Sequence, residues 1–214
     1  MLHHIPIFQG LSESDLAIIE KNCRRQTYPA QTIIISEGDI TDSLFVIRSG
    51  RVKIFLSDSN GKEVVVGTRG VGDYIGELAP IDDAERSASV VTLEKSSFTI
   101  ITKSVFKQIL STYPDIALNI MKDLSEKVRT LDSNVKSLAL RDVRERVIEF
   151  LINHSIPEGQ NLIMIERFTQ QDIADRIGAS REMVARILGS LRDAGYLESA
   201  GRKMIMKRDL NIDC

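Results

Sequence analysis

Between Thr27 and Ile101 the hydrophobic residues fall in short runs separated by clusters of turn residues. The runs TIII (32–35), LFVIRSG (44–50), RVKIFL (51–56), EVVVG (63–67) and SFTII (97–101) are rich in β-branched and aromatic side chains, and EGD, SDSNGK and RGVGD interrupt them. Short strands at this spacing, with glycine-rich turns, predict an antiparallel barrel or jelly roll. Asn60-Gly61 predicts a tight hairpin turn, because that pair tolerates positive φ.

After Ser104 the period lengthens to that of a helix. Ala117, Met121, Leu124, Val128, Leu131, Val135 and Leu138 recur at alternating spacings of four and three, the a/d pattern of a coiled coil. One reading is the seam of a parallel dimer helix; the other is a single amphipathic helix packed on its own barrel. The heptad regularity favours the seam. From Arg141 a second domain begins: DVRERVIEFLINHS (142–155) puts Val143, Val147, Leu151 and Ile152 on one helical face. IPEGQ (156–160) then reads as a turn and LIMI (162–165) as a strand.

FTQQDIADRIGASREMVARILGSLRDAGYL (168–197) holds two short helices joined by a glycine-centred turn. Thr169 and Asp172 predict a capping box for the first helix, with Ile173, Ala174 and Ile177 as its buried stripe. Gly178 ends it and Ser180 caps the second, in which Val184, Ile187, Leu188 and Leu191 share one face. Glu182, Ala185 and Arg186 point the other way. This is the helix-turn-helix arrangement, whose second helix enters a major groove of double-stranded DNA. Arg181 and Arg186 match the O6/N7 acceptors of guanine, and Glu182 accepts from the N4 amine of cytosine. Thr169, Gln170 and Ser180, at helix N-termini, suit phosphate contacts. The alternative for SREMVAR is a solvated face with an i,i+4 Glu182–Arg186 pair. Two strands around SAGRK predict a wing that presents Arg202 and Lys203 to phosphates.

Composition narrows the classes. Lys and Arg number 28 against 30 Asp and Glu, so bulk charge argues neither for nor against nucleic acid. Cys23 and Cys214 lie far apart without metal-like spacing, as expected of plain thiols in a reducing cytosol. MLHHIPIFQG lacks a secretory pattern and no apolar run reaches membrane-spanning length, so a cytoplasmic protein with no membrane contact is expected. A jelly roll can also house a metalloenzyme, but the histidines are His3, His4 and His154, none of them in the barrel segment. No enzyme activity, metal, haem or cluster is expected.

IGELAPIDDAERSASV (75–90) places Glu77 and Arg86 nine residues apart between two strand-forming runs. Two readings fit. The charges pin a loop as a salt bridge, or they are aimed at something outside the chain.

Taken together, GELAPIDDAERSA, the heptad helix and GASREMVARIL occur in an order that resembles the cyclic-AMP receptor protein / fumarate-nitrate regulator family of bacterial transcription factors, over nearly the whole chain. The resemblance implies an α+β protein: an N-terminal antiparallel β jelly roll of the cyclic-nucleotide-binding type, a long dimerisation helix and a C-terminal winged helix-turn-helix. The expected boundaries are 1–112, 113–140 and 141–214. Arg181, Glu182 and Arg186 fall on the family's base-reading positions, which implies a homodimer on a TGTGA-like inverted repeat, with RNA polymerase as the further partner.

By the same resemblance 75–90 is a phosphate-binding cassette. Arg86, the Ser87 hydroxyl and the Ser87–Ala88 amides would hold the cyclic phosphate. Glu77, with the Gly76 amide and Leu78 beside it, would accept from the ribose 2′-hydroxyl. Arg86→Leu is expected to abolish nucleotide binding and leave the fold intact. The middle of the cassette, APIDDAE, is one residue shorter than in the family's archetype. The base-facing positions are Leu131 and Asp132 here, where the family carries hydroxyl side chains. Cyclic AMP is the effector the resemblance implies, while a cyclic dinucleotide such as cyclic di-GMP, an unrelated ligand or none remain alternatives. Effector binding is expected to bias the long helices through Leu138–Asp142, with Asp142 capping the next helix.

Overall fold

A computed structural model describes residues 5–61, 63–200 and 203–207, with Ser199, Ala200 and Lys203 described by backbone alone. The chain divides into two compact units, Met1–Val128 and Arg129–Cys214.

Among the described residues the first unit has eight strands: β1 (Arg24–Tyr28), β2 (Ile33–Ile35), β3 (Leu44–Ser49), β4 (Val52–Ser57), β5 (Glu63–Arg69), β6 (Tyr74–Ile75), β7 (Ser89–Thr92) and β8 (Ser96–Ile101). They pair antiparallel into two four-stranded sheets, β1-β8-β3-β6 and β2-β7-β4-β5. Successive side chains of a strand point to opposite faces, and β3 buries both. Phe45 and Ile47 enter the core between the sheets with Ile35, Val90 and Phe98. Leu44 and Val46 enter a second core with residues of α1 (Glu13–Lys21), α3 (Lys103–Thr112) and α4 (Pro114–Leu140). This explains why LFVI reads as a continuous apolar run. Burial contributes roughly 1.5–3 kcal/mol for each such large side chain.

β1, β6 and β7 escape the hydrophobic pattern. β1 is the polar sequence RRQTY with Arg24, Arg25 and Thr27 exposed and no residue fully buried, and β6 is two residues long. Asn60-Gly61 closes a tight turn in the hairpin that joins β4 to β5, though not as a two-residue loop. Gly61 N–H donates to Asp58 O at 3.0 Å within the wider connection from β4 to β5, and of the pair only Gly61 has positive φ.

α4 is shared between the units. Ile116 and Ile120 are buried in the first core, and Leu124 packs against it. The remaining seam is open: Met121 is 53 % exposed, Val128 56 % and Val135 64 %.

The second unit contains α5 (Val143–Asn153), α6 (Gln170–Ile177), α7 (Arg181–Asp193) and a sheet of order β11-β12-β10-β9. Its strands are β9 (Ser155–Glu158), β10 (Asn161–Met164), β11 (Leu197–Ala200) and β12 (Lys203–Lys207). Asp142 caps α5 in a reciprocal box with Glu145: its side chain accepts from Glu145 N–H at 2.8 Å, and Glu145 Oε2 accepts from Asp142 N–H at 2.9 Å. Val147, Leu151, Ile173, Ile177, Val184, Leu188 and Leu191 form the core. The expected turn at 156–160 is corrected: Ser155–Glu158 pairs with β10 and ends the expected helix at Asn153. Three of the four β9 residues are exposed and one is proline, so no alternation marks it as a strand.

Candidate functional site

Residues 75–90 leave the first sheet at β6, turn at Gly76 and form the short helix α2 (Leu78–Asp82) before returning to β7. Gly76 has φ +75, and a Cβ there would lie 2.5 Å from Arg86 Nη1 and 3.2 Å from Ser43 O. Only glycine admits both the left-handed conformation and the guanidinium. At the far end of α2, Asp83 takes φ +62 and pairs with Lys103 and Lys107 of α3, which ties the segment down.

Arg86 is 4 % exposed and tightly held. Its Nε donates to Thr41 Oγ1 at 2.9 Å, Nη1 to Gly76 O at 2.7 Å and Nη2 to Ser43 O at 2.7 Å. Its own N–H donates to Asp39 O and its carbonyl accepts from Gly38 N–H, both at 2.9 Å. These three side-chain bonds leave two of the guanidinium's five N–H donors for a further acceptor. Burial pulls the guanidinium pKa below its ordinary value against the opposing charges of Asp42, Asp39 and Glu77, and arginine remains charged. The Ser87 hydroxyl and the Ser87 and Ala88 amides make no hydrogen bond among the described residues. A fixed cation thus stands beside uncommitted donors, an arrangement suited to a phosphate.

Glu77 and Arg86 form no salt bridge. Glu77, 8 % exposed, accepts instead from Lys127 Nζ of α4 at 2.8 Å. Lys127 Nζ also lies 2.9 Å from Asp123 Oδ2 and 4.5 Å from the centroid of the Tyr74 ring, and the Tyr74 hydroxyl donates to Asp123 Oδ2. Sequence reasoning missed Tyr74, Asp123 and Lys127, as well as Thr41 and Ser43. The i,i+4 spacing of Asp123 and Lys127 on one helix face was a local signal; their meeting with Glu77 is a long-range one. Leu78 is 39 % exposed on α2. Leu131, 49 % exposed, and the exposed Asp132 lie further along α4, in the part that belongs to the second unit.

In the second unit Thr169 caps α6, accepting from Asp172 N–H at 3.1 Å, while its hydroxyl donates to Asp172 Oδ2 at 2.6 Å. That hydroxyl is committed to the cap, and Gln170 is the first residue of the helix. Gly178 closes α6 in the left-handed region at φ +64. Ser180 caps α7, accepting from Met183 N–H at 3.2 Å. Val184, Leu188 and Leu191 turn inward, which presents Arg181, Glu182 and Arg186 to solvent. Glu182 and Arg186 are both exposed and form no ion pair with each other among the described residues. β11 and β12, the two strands expected around SAGRK, pair antiparallel at one edge of the four-stranded sheet, with Ala200 opposite Lys203. Arg202 lies outside the described residues, and Lys203 is described by its backbone alone.

Residues 25–113 match the cyclic nucleotide-binding domain and residues 145–211 the Crp-like helix-turn-helix domain. The chain is 30% identical over 196 residues to the cAMP-activated global transcriptional regulator Vfr of Pseudomonas aeruginosa, covering 86% of this chain and 90% of that protein. It is 28% identical over 204 residues to a CRP-like cAMP-activated global transcriptional regulator of Mycobacterium tuberculosis, covering 94% and 91%. Among solved structures it superposes at a TM-score of 0.79 and 25% identity on the c-di-GMP responsive global regulator CLP of Xanthomonas campestris, covering 92% of this chain and 99% of that one. A β roll with a buried, anchored arginine, followed by a capped helix-turn-helix, agrees with these likenesses along the chain, which belongs to the CRP/FNR family of transcriptional regulators.

Proposed function

We propose that this chain is a cytoplasmic homodimeric transcription factor whose affinity for DNA is set by a cyclic nucleotide, cyclic AMP first among them, bound at the 75–90 cassette. The observation that carries the reading is the state of Arg86: it is buried, anchored by Thr41, Ser43 and Gly76, and has donors to spare beside the uncommitted Ser87 and Ala88 amides. The cyclic phosphate takes these donors, Glu77 accepts the ribose 2′-hydroxyl beside Gly76 and Leu78, and Leu131 and Asp132 face the base. Arg181, Glu182 and Arg186 read a TGTGA-like half-site, with Thr169, Gln170, Ser180, Arg202 and Lys203 along the backbone. The open seam on α4 pairs two chains, so that two recognition helices address half-sites about 34 Å apart, and RNA polymerase is the partner that reads the outcome.

A second reading keeps the DNA-binding half and changes the effector to cyclic di-GMP. Leu131 supports it, because a leucine at the base-facing position cannot hydrogen-bond the exocyclic amine of adenine, and the relative of Xanthomonas campestris is named as responsive to c-di-GMP. Calorimetry with cyclic AMP, cyclic GMP and cyclic di-GMP, paired with operator affinity by fluorescence anisotropy, separates the readings. Cyclic AMP binding that raises operator affinity supports the first. A response to cyclic di-GMP alone supports the second, and no response to any of them refutes both.

A further inference from the structure

Glu77 is buried and has one hydrogen-bond partner among the described residues, Lys127 at 2.8 Å. An ionised carboxylate only accepts hydrogen bonds, so the group that completes its coordination must be a donor. What fixes Glu77 is therefore what fixes the Lys127 ammonium. Lysine is a flexible chain ending in a point charge, and left alone it would hold a carboxylate loosely. Here its surroundings remove that freedom. Glu77 Oε1 takes one direction at 2.8 Å and Asp123 Oδ2 a second at 2.9 Å, while the face of the Tyr74 ring lies 4.5 Å from Nζ. Asp123 is itself oriented by the hydroxyl of Tyr74, which is 5 % exposed at the start of the segment leading to Glu77. Burial and the hydrogen bond to Asp123 push the Tyr74 phenol above its ordinary pKa, so the hydroxyl stays a donor across the neutral range. The network is closed: Tyr74 orients Asp123, both confine Lys127, and Lys127 fixes Glu77.

We infer that Tyr74, Asp123 and Lys127 form a positioning relay that holds Glu77 as a fixed acceptor, so that sugar selection by the cassette is set from α4. The inference rests on the cyclic-nucleotide reading above. A ribose 2′-hydroxyl completes Glu77. A 2′-deoxyribose leaves a buried carboxylate oxygen without its donor, the kind of mismatch that separates close analogues most strongly. Relaxing the relay lets Glu77 turn to solvent or to another partner, and the discrimination falls although Arg86 still holds the phosphate. Lys127 immediately precedes Val128 of the open seam, so the same turn of α4 carries both the relay and the proposed dimer contact.

The test measures the ratio of affinities for cyclic AMP and 2′-deoxy-cyclic AMP, by calorimetry on the full chain, in the wild type and in Tyr74→Phe, Asp123→Asn and Lys127→Met. The wild type is expected to prefer the ribonucleotide on the order of tenfold or more, and the variants to fall to within about twofold. Glu77→Gln is expected to lose the preference too, and Lys127→Met added to Glu77→Gln to change the ratio no further. Tyr74→Phe keeps the ring in the core, so it separates the relay from loss of fold. An unchanged ratio in folded Tyr74→Phe and Asp123→Asn, with intact cyclic AMP binding, overturns the inference and leaves the cyclic-nucleotide reading standing. A wild type that binds neither nucleotide overturns cyclic AMP as the effector and the inference with it.

Discussion

Glu77 and Arg86 lie at the two ends of one cassette and are held by different parts of the first unit. Glu77 is fixed by Lys127 of α4 at 2.8 Å, and Arg86 by the carbonyls of Gly76 and Ser43, each at 2.7 Å. Because the two charges do not neutralise each other, the acceptor and the donor of the site are both kept available. A direct salt bridge between them would have consumed both.

The anchoring of Arg86 changes what its removal should do. Arg86→Leu is expected to abolish nucleotide binding and also to destabilise the first unit, because the Gly76 and Ser43 carbonyls and the Thr41 hydroxyl lose their donors. Thr41 is exposed and Ser43 and Gly76 are half-buried, so water replaces part of what is lost and a decrease of about 1–3 kcal/mol should appear in urea unfolding. Gly76→Ala should cost about 1–2 kcal/mol for the left-handed backbone alone and weaken binding by displacing the guanidinium. An Arg86→Leu protein as stable as the wild type would show that the anchoring bonds carry no net weight.

On the DNA side, caps and base readers should separate by readout. Ser180→Ala removes the acceptor for Met183 N–H and is expected to cost about 1 kcal/mol of stability in the second unit, measured by thermal unfolding. Arg186→Ala and Glu182→Ala should leave stability within about 0.5 kcal/mol while relaxing base preference by about 1–3 kcal/mol at single operator positions. Anisotropy titrations against operators substituted one base pair at a time give the comparison.

Dimerisation is expected to depend on the open face of α4. Val135 is 64 % exposed and Val128 56 %, so Val135→Lys should leave each chain folded. It should halve the mass found by sedimentation equilibrium and lower operator affinity together with it. Unchanged circular dichroism with a halved mass is the expected pair of results.

The relay predicts opposite pH dependences for its two acidic members. Burial alone would raise the Asp123 carboxyl, but hydrogen bonds from Tyr74 and Lys127 and the charges of Lys127 and Arg69 hold it below its ordinary value of 3.8. A depressed carboxyl contributes stability that is present above pH 3.8 and is lost as pH falls below it. The Tyr74 phenol is raised above its ordinary value of 10.0, so its contribution is present below that pH and is lost as pH rises above it. Asp123→Asn should therefore flatten the acid limb of a stability–pH curve, and Tyr74→Phe the alkaline limb, each relative to the wild type.

The sequence by itself determined what is local. Helix caps were legible at Thr169, Ser180 and Asp142 because a cap is a contact between residues a few positions apart. The α7 core face was legible for the same reason, since Val184, Leu188 and Leu191 repeat at the helical period. The long apolar strands could be read, but the polar β1 and the exposed β9 could not, because their pairing is imposed by partner strands rather than by their own pattern. At the cassette the sequence named Glu77, Arg86, Gly76 and Ser87. Only the tertiary structure decided whom the charges serve: Arg86 binds the carbonyl of Ser43, far earlier in the chain, and Glu77 binds Lys127, fifty residues on. Such contacts join residues whose separation carries no periodic signal: the packing of α4 brings Lys127 to Glu77, and the folding of the cassette against the segment before β3 brings Arg86 to Ser43. That the two charges hold separate partners, and not each other, was decided by that packing.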